Sequence, residues 1–315
     1  MKILVTGGAG FIGSHICERL LEDGHRVICV DNFITGNREN ISHLTQKKAF
    51  TLIEADASLS TDQYLSDVSH VDAVFHLASP ASPRGYQDAP IETYRINSFG
   101  THHLLEFAKE KQAKFLFAST SEVYGDPLEH PQKETYWGNV NPLGARACYD
   151  ESKRFGEMAT SVFHREFDLN VRIVRIFNTY GPRMDPRDGR VIPNFVTQAL
   201  NNQPMTVYGD GTQTRSFCYV SDLVNGIVQA MELPATRGEV FNLGTTNEYR
   251  MIDLAKKIKD VVGSSSEIVF DDLPEDDPVR RKPDITKAKR VLGWKPTVPF
   301  NEGLRLTIDY FKTIG

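Results

Sequence analysis

The sequence predicts an α/β protein in which helices cover both faces of a parallel sheet, followed by a smaller and looser α/β domain. Through the first half of the 315 residues, short β-branched apolar runs alternate with stretches of helical apolar spacing. That alternation is typical of strand–helix–strand units, and continuous apolar strands suit burial on both faces of a sheet. After about Phe177, prolines and glycines crowd together. We therefore expect a first domain at 1–177 and a second mainly at 178–315, with some segments returning to the first.

The predicted elements follow this order along the chain. The apolar runs predict strands at residues 2–6, 26–30, 50–54, 73–77, 115–118 and 171–177. Helical spacing predicts helices at residues 11–22, 91–111, 150–167, 193–201, 221–231, 251–261 and 302–311. Proline-rich segments predict loops at 233–234 and 274–283.

Composition argues against several classes of partner. The 41 acidic and 36 basic residues give a net charge of −5 without a Lys/Arg-rich run, so we expect no nucleic-acid partner. Four cysteines without C-x-x-C spacing argue against a zinc site and favour reduced thiols in the cytosol. The first apolar run breaks at Gly7, too early for a membrane span or signal peptide, so we expect a cytoplasmic protein. The acidic cluster of Glu275, Asp276 and Asp277 indicates a solvated loop rather than a metal site.

Three glycines separate the first predicted strand from the first predicted helix. Gly7, Gly10 and Gly13 have the spacing G-x-x-G-x-x-G. Glycine permits the tight turn and the close approach of backbone N–H groups to a pyrophosphate, and the helix N-terminus turns its positive dipole end toward the phosphates. In this strand–turn–helix context the spacing predicts a dinucleotide-binding, Rossmann-type sheet. An ordinary glycine turn is the alternative.

An acidic residue ends the second predicted strand. Asp31 can accept hydrogen bonds from the adenosine ribose hydroxyls and would repel a 2′-phosphate, which favours NAD over NADP. Arg38, a few residues on, can soften that repulsion and keeps NADP open. Ligands of parallel sheets lie beyond the carboxyl ends of the strands, so we expect further cofactor contacts there and at the start of the first helix. These expected contacts are Phe11, Ile12, Asn32, Asp56, Leu77, Ala78 and Ser79.

Tyr149 and Lys153 are the candidate reacting pair. They are four residues apart at the start of the helix predicted at 150–167, and so share one face. We expect the lysine ammonium to lower the tyrosine pKa from its usual value near 10, so that the phenolate can take a proton from a sugar hydroxyl as hydride leaves for NAD. Thr120 and Glu122 follow the predicted fifth strand, and Thr120 can hydrogen-bond the same hydroxyl. A helix-capping or surface role is the alternative for Glu122.

Longer segments carry a resemblance to a known family. Besides the glycine turn, they are ASPASP (78–83), STSEVYG (119–125), YWG (136–138), RACYDESK (146–153), RIFNTYGPRM (175–184), DGRV (188–191), TVYG (206–209), and DP (277–278) with RKPD (281–284). These segments resemble the extended short-chain dehydrogenase/reductases, and within them most closely the UDP-glucuronate decarboxylases. The resemblance covers nearly the whole chain, and its C-terminal segments are the more specific ones.

The resemblance implies a homodimer, packed through the helices around 91–111 and 150–167, that converts UDP-glucuronate to UDP-xylose with NAD regenerated in each cycle. Oxidation at C4 by Tyr149 and NAD would make the C5 carboxylate a β-keto acid, which loses carbon dioxide readily. The implied catalytic residues are Thr120, Glu122, Tyr149 and Lys153, of which the last two also contact NAD. The implied contacts to the UDP diphosphate or the sugar are Tyr86, Asn178, Arg190, Tyr208, Arg215 and Arg281.

Three alternatives stay open. A nucleotide-sugar 4,6-dehydratase shares the reacting pair, but such enzymes usually carry an aspartate where this chain has Ser121. A UDP-sugar 4-epimerase needs no carboxylate at the position of Glu122. A non-catalytic NAD-sensing protein with the same fold often lacks the tyrosine or the lysine, and here both Tyr149 and Lys153 are present.

Overall fold

The computed structural model describes residues 1–274 and 277–314, so that Glu275 and Asp276 of the acidic cluster lie outside the described residues. Its strands are β1 (Lys2–Thr6), β2 (Arg26–Asp31), β3 (Phe50–Glu54), β4 (Ala73–His76), β5 (Lys114–Thr120), β6 (Val171–Ile176), β7 (Thr179–Tyr180), β8 (Met205–Tyr208), β9 (Thr214–Ser216), β10 (Cys218–Tyr219), β11 (Glu239–Leu243), β12 (Glu248–Arg250), β13 (Ile268–Asp271) and β14 (Arg280–Arg281).

The helices include two short ones, at 83–88 and 286–292, that the sequence analysis did not predict. In chain order, the helices are α1 (Phe11–Glu22), α2 (Pro83–Asp88), α3 (Pro90–Arg95), α4 (Thr101–Glu110), α5 (Ala147–Phe167), α6 (Val191–Leu200), α7 (Val220–Glu232), α8 (Met251–Val262), α9 (Thr286–Leu292) and α10 (Phe300–Ile314). Among the helices in the described part of the chain, none is both long enough and apolar enough to cross a membrane.

The central layer is a parallel sheet of seven strands in the order β11-β6-β5-β4-β1-β2-β3. The chain runs outward from β1 through β2 to β3, and then returns to the other side of β1 to form β4, β5 and β6. Since all the strands point the same way, their carboxyl ends meet at one edge. The strand order reverses between β1 and β4, which is where sheets of this type bind ligands. The predicted doubly wound, Rossmann-type sheet is confirmed.

Helices cover both faces of this sheet. Ile3 and Val5 of β1 pack in one apolar cluster with α1 and α7, whereas Leu4 between them packs in a second cluster with α4 and α5. Successive side chains of a strand point to opposite faces, so one short strand contributes to both clusters. Burial on both sides explains why the central strands read as continuous apolar runs.

The second half of the chain contributes to two structures. β11 extends the central sheet beside β6, and α7 and α9 pack against it. The remainder forms a smaller α/β unit in which α6, α8 and α10 share an apolar cluster with β8. Beside that cluster lie the β8–β13 pair and the three-stranded sheet β12-β9-β14. A smaller C-terminal α/β unit is therefore present, while the domain boundary near Phe177 stays a prediction.

The structure differs from the predicted elements where those elements are short or interrupted. The predicted helix at 91–111 consists of α3 and α4 joined by a wider, π-helical stretch at Ile96–Gly100, a deformation that apolar spacing does not reveal. The segment 274–283, predicted as a loop, contains the two-residue strand β14. That strand exists because it pairs with β9, more than sixty residues earlier in the chain.

Candidate active site

One cleft of about 1640 Å³ lies at the carboxyl edge of the central sheet and contains the whole set of predicted site residues. It lies between the sheet and the smaller C-terminal unit. The lining residues that the sequence assigned to the cofactor are Gly7, Gly10, Phe11, Ile12, Gly13, Asp31, Asn32, Asp56, Leu77, Ala78 and Ser79. Those assigned to catalysis or substrate are Thr120, Glu122, Tyr149, Lys153, Tyr86, Asn178, Arg190, Tyr208, Arg215 and Arg281.

The glycine turn after β1 brings the start of α1 to the cleft. Gly7 has a φ of +74°, and a Cβ atom at Gly13 would lie only 2.0 Å from the carbonyl oxygen of Gly7. Among the described residues, no side chain caps α1 at Gly10, so the backbone N–H groups of the first turn are open to the cleft. An uncapped helix N-terminus in a glycine cradle fits the diphosphate of a dinucleotide.

Asp31 lies at the end of β2, where a ribose would meet the sheet. Its two carboxylate oxygens accept 2.8 Å hydrogen bonds from the backbone N–H groups of Ala9 and Phe33. Burial raises the pKa of Asp31, while these two hydrogen bonds lower it. Arg38 stacks on the Phe33 ring, 4.0 Å from its centroid, and forms a 2.6 Å ion pair with Glu54. The charge of Arg38 is thus paired with Glu54 and not with Asp31. The surroundings of Asp31 therefore fit a ribose without a 2′-phosphate.

The rest of the cofactor groove is held by short polar contacts. Asp56 accepts a 2.9 Å hydrogen bond from the backbone of Ser58, and Asn32 accepts one of 3.2 Å from the backbone of Ile34. Ser79 Oγ accepts a 3.0 Å hydrogen bond from the amide of Asn97, which belongs to the π-helical stretch before α4. Side chains that follow β2, β3 and β4 are therefore held in the cleft at the carboxyl edge of the sheet.

The reacting pair is buried at the start of α5. Lys153 Nζ donates a 2.8 Å hydrogen bond to the carbonyl oxygen of Ala118 and lies 5.8 Å from the centroid of the Tyr149 ring. Burial lowers the pKa of Lys153 to about 7, and Glu157 only partly opposes it. Burial also raises the pKa of Tyr149, and the Thr120 hydroxyl beside the phenol opposes that shift. The structure thus differs from the predicted lowering of the tyrosine pKa by lysine, because desolvation is the larger effect at both groups.

Tyr86 of α2 lies against the reacting tyrosine. The two rings are stacked, with centroids 5.1 Å apart and planes within 9° of each other. The Tyr86 hydroxyl is buried and has no hydrogen-bond partner among the described residues. Since buried hydroxyl groups ordinarily find partners, this one fits the sequence-based expectation that Tyr86 meets a polar group of the substrate.

Glu122 connects two arginines at the end of β5. One of its carboxylate oxygens accepts a hydrogen bond from Arg281 and the other from Arg146. Burial by itself would raise the pKa of Glu122, yet the two guanidinium groups outweigh it and hold the pKa at about 2. Glu122 is therefore an ionised carboxylate across the physiological range. We call Glu122, Arg146, Arg215 and Arg281 the arginine cluster.

The β9–β14 pairing places two of these arginines side by side. Arg215 lies in register with Arg281, and both are more than nine-tenths buried. Arg215 donates a 2.8 Å hydrogen bond to Asp277, and Arg281 donates one of the same length to the carbonyl oxygen of Gly125. Asp277 was expected in a solvated loop, but the structure shows it partly buried as the counter-charge of Arg215. Arg281 Nε has no hydrogen-bond partner among the described residues, so the Arg215–Arg281 pair retains a donor for an anion.

Three other residues assigned to substrate come from segments that follow β6, precede α6 and end β8. Arg190 precedes α6 and forms an ion pair with Asp188. Asn178 lies between β6 and β7, and its carbonyl oxygen accepts a 2.9 Å hydrogen bond from the backbone of Cys218. Tyr208 ends β8 with 39% of its surface exposed. All three residues line the cleft.

Two residues that the sequence reasoning did not single out lie in or beside this site. Arg146 donates a hydrogen bond to Glu122. Arg146 comes three residues before Tyr149, and this spacing indicated that Arg146 and Tyr149 share a helical face. Asp150 is 5% exposed, and its Oδ1 atom has no hydrogen-bond partner among the described residues. The burial of Asp150 could not be inferred from the sequence, because an aspartate near the start of a helix is ordinarily exposed. In the described ranges, no group of His, Cys, Asp and Glu side chains is arranged to hold a metal ion.

Comparisons with known proteins agree with this geometry. The family model described as GDP-mannose 4,6 dehydratase matches residues 4–307. UDP-glucuronic acid decarboxylase 4 of Arabidopsis thaliana is 51% identical over 99% of this chain and 69% of its own length. UDP-glucuronic acid decarboxylase 1 of Xenopus tropicalis is also 51% identical, over 99% of this chain and 72% of its own.

Solved structures with the same fold include enzymes of two reaction types. UDP-glucuronic acid 4-epimerase of Bacillus cereus, solved with UDP-glucuronic acid and NAD, is 33% identical, with a TM-score of 0.89 and full coverage of both chains. The dTDP-glucose 4,6-dehydratase of Streptomyces venezuelae, solved with NAD, is 29% identical, with a TM-score of 0.90 over 99% of this chain and 97% of its own.

Proposed function

Because the chain belongs to the UDP-glucuronic acid decarboxylases, within the family matched by the GDP-mannose 4,6 dehydratase model, we propose that it is an NAD-dependent carboxy-lyase. Its reaction converts UDP-glucuronate to UDP-xylose and carbon dioxide. When bound, NAD would supply both the acceptor and the donor of the sugar C4 hydride, so the reaction would have no net redox change. The cleft supplies a place for each part of such a substrate and cofactor.

The arginine cluster beside the reacting pair is the observation that carries this proposal. UDP-glucuronate carries a diphosphate and a carboxylate, and both are bound well by the planar forks of guanidinium groups. Arg215 and Arg281 lie in register on neighbouring strands, and Arg146 lies one helical turn before Tyr149. Three cations thus line the part of the cleft next to Tyr149, where two carboxylates, Glu122 and Asp277, neutralise them only in part.

The cofactor half of the cleft has residues for the other ligand. The glycine turn and the open start of α1 would hold the NAD diphosphate, and Asp31 would accept the ribose hydroxyls. Asn32, Asp56 and Ser79 continue this groove toward the reacting pair.

The reacting residues have distinct tasks in this scheme. Tyr149 takes the proton of the C4 hydroxyl and later returns it, with the Thr120 hydroxyl beside it. The C4 ketone makes the carboxylate a β-keto acid, so the electron pair of the breaking C5–carboxyl bond passes into the ketone. Glu122, ionised and held by two arginines, positions those arginines rather than supplying a proton.

The local structure at Ser121 supports decarboxylation over dehydration. Expulsion of a C6 hydroxyl needs an acid next to Glu122, and the neutral hydroxyl of Ser121 is a poor proton donor by comparison. Ser121 is 2% exposed in the turn after β5, so water does not replace the missing acid readily there.

The test is to incubate the protein with UDP-glucuronate, with and without added NAD, and to identify the nucleotide sugar by NMR and mass spectrometry. We expect UDP-xylose and carbon dioxide. Tyr149→Phe, which removes the proton-transferring oxygen, should slow the reaction by roughly 10²- to 10⁴-fold. Tyr64→Phe is the control, because Tyr64 does not line the cleft and its hydroxyl, among the described residues, donates a hydrogen bond only to the Ala57 carbonyl, at 3.5 Å. Unchanged UDP-glucuronate would contradict the assignment, and UDP-galacturonate would move it to 4-epimerisation.

We also propose that the chain forms a homodimer through α3 and α5. These helices pack on each other, and together with the π-helical stretch they expose large apolar side chains. The exposed side chains are Ile91, Tyr94, Phe99, Phe155 and Met158. Clusters of this kind mark interaction surfaces, and pairing with a second copy would bury them. Sedimentation at micromolar protein should give twice the chain mass, and a monomer at that concentration would contradict the proposal.

A cytoplasmic location is the last part of the proposal. All four cysteines are free thiols in the structure, and three of them are buried. Unpaired thiols suit a reducing compartment. Cell fractionation with a tagged full chain tests this, and recovery with secreted or periplasmic proteins would contradict it.

A further inference from the structure

Decarboxylation consumes one proton beyond the proton that Tyr149 exchanges with the C4 hydroxyl. The C5–carboxyl bond breaks, carbon dioxide leaves, and its electron pair forms an enolate with the C4 ketone. The enolate carbon C5 must then take up a proton before hydride can return to C4. The proton on Tyr149 came from the C4 hydroxyl and goes back to the C4 oxygen, so it is not available for C5. A fresh proton must therefore reach this buried site from solvent in every turnover.

Most polar groups around the cleft are unsuited to hold that proton. Glu122 stays ionised because Arg281 and Arg146 hold its pKa at about 2. The guanidinium groups of the arginine cluster do not release protons at neutral pH. Asp150 is the remaining described carboxyl group that is buried next to this cluster.

Asp150 borders a second, smaller cavity on the other side of Arg146. This cavity of about 190 Å³ is lined by Gly125, Asp126, Asn139, Val140, Asn141, Arg146 and Asp150. Its rim residues Asp126 and Asn139 are exposed, whereas Asp150 lies at the buried end with Oδ1 lacking a partner among the described residues. A polar cavity of this size has room for several water molecules, and an unpartnered oxygen is what such water binds. Arg146 lines both the cavity and the main cleft, so the two are separated by one side chain.

The electrostatic surroundings favour a protonated Asp150. Burial and the nearby Glu122 raise the pKa of the Asp150 carboxyl to about 8, although Arg146 and Arg281 oppose them. The other titratable groups that face it are Glu151, Tyr149 and Cys148 of α5, Tyr86 of α2, and Asp126 across the cavity. A carboxyl group in this position is neutral at physiological pH and can both give and regain a proton there.

We propose that the small cavity behind Arg146 is the proton-uptake site of the decarboxylation, and that Asp150 stores the proton that replaces the carboxyl group at C5. Water in the cavity carries the proton past the Arg146 side chain to the cleft, and solvent at the rim restores it to Asp150. Asp150 acts through this water and does not touch the substrate. The inference rests on the proposed function, because only a reaction that loses carbon dioxide needs such a proton.

Asp150→Asn keeps the shape of the side chain and removes its proton. With UDP-glucuronate in single-turnover experiments on the NAD-loaded protein, we expect reduced nicotinamide to form at the wild-type rate and to disappear roughly 10²-fold more slowly, since hydride return waits for protonation of C5. The wild-type rate should fall above about pH 8, and this fall should be absent in the variant. Unchanged nicotinamide kinetics together with an unchanged pH profile would overturn the proposal.

Two further variants separate proton storage from structural damage. Glu166→Gln removes an exposed carboxylate of α5 that neither borders the cavity nor acts on the charge of Asp150, so its kinetics should match the wild type. Val140→Phe fills the cavity without changing Asp150, so it should slow the disappearance of reduced nicotinamide while the fall above about pH 8 remains. Wild-type kinetics in Val140→Phe would overturn the proton path through the cavity.

A direct titration makes failure of this inference distinguishable from failure of the proposed function. Carbon-13 NMR of labelled aspartate carboxyls, compared between wild type and Asp150→Asn, needs no turnover. The signal that is present in the wild type and absent from Asp150→Asn belongs to the Asp150 carboxyl. A titration midpoint near 8 for this signal supports proton storage, whereas the ordinary aspartate value of about 3.9 overturns it, whatever reaction the enzyme catalyses. Absence of UDP-xylose from the wild-type protein would instead overturn the proposed function, and with it the assignment of this proton to C5.

Discussion

The glycine turn and the arginine cluster both offer hydrogen-bond donors to an anion, but they are built in opposite ways. The turn comprises residues 7–13, all within one strand–turn–helix unit, and its donors are backbone N–H groups. The cluster joins Glu122 to Arg146, and to Arg215 and Arg281 from the smaller unit, and its donors are guanidinium groups.

This difference determines how each region fails. The turn depends on the absence of side-chain atoms, so steric overlap disturbs it. The cluster depends on the balance of buried charges, so removal of one charge leaves its partners without compensation. Substitutions in the two regions should therefore produce different measurable effects.

The largest expected effect is on stability, from Glu122→Gln. Loss of the shared counter-charge of Arg281 and Arg146 should lower the free energy of unfolding at neutral pH by about 3–5 kcal/mol. The folded-state pKa of Glu122, about 2, lies below its ordinary value of 4.5, so this stabilisation is complete above about pH 5 and is lost as the pH falls toward 2. Urea unfolding at a series of pH values measures both effects.

The matched control is Glu110→Gln, because Glu110 is exposed and pairs only with its neighbour Lys111. We expect its stability to match the wild type at every pH. An equal loss of unfolding free energy in Glu122→Gln and Glu110→Gln would show that the ion pairs of Glu122 with Arg146 and Arg281 do not stabilise the fold.

The second effect is on cofactor affinity, from Gly13→Ala. The new Cβ would overlap the carbonyl oxygen of Gly7 at 2.0 Å, so the turn must open. We expect the affinity for NAD to fall roughly 10²-fold, which is within the usual cost of overpacking. Gly10→Ala should be milder, because its Cβ would lie 3.2 Å from the same oxygen. Calorimetric titration with NAD measures both, and equal losses would contradict the steric explanation.

The smallest effect is on substrate affinity, from Arg215→Lys. Lysine keeps the charge but loses the planar fork, so we expect the KM for UDP-glucuronate to rise about tenfold while the affinity for NAD is unchanged. Arg250→Lys is the control, because Arg250 lies in the neighbouring strand β12 but is exposed and pairs with Asp253. A similar rise in both variants would remove Arg215 from the substrate site.

The sequence revealed those parts of the site whose members are close in the chain. Gly7, Gly10 and Gly13 form one motif, and Tyr149 and Lys153 are one helical turn apart, so local geometry already brings them together. Arg281 was found through resemblance, but its bond to Glu122 joins positions 159 residues apart. Spacing along the chain contains no information about such a contact.

Two of the electrostatic expectations depended on burial, which the sequence did not supply. The pKa of Tyr149 is raised rather than lowered, because the pair is enclosed by β5, α2 and α5 and desolvation exceeds the effect of the lysine. Asp277, expected in solvent, became a counter-charge because β14 brings its segment against β9. In both cases the ionisation of a group follows from what surrounds it.

By itself, the sequence determined the alternating α/β fold, and it located the glycine turn, Asp31 and the Tyr149–Lys153 pair, all of which line one cleft. These features follow from backbone sterics and apolar periodicity, which act over a few residues. Only the tertiary structure decided which carboxyl groups stay charged, which arginines they hold, and that Asp150 lies at the end of a cavity. Desolvation and long-range charge pairing act through space, and the distances that govern them exist only after the chain has folded.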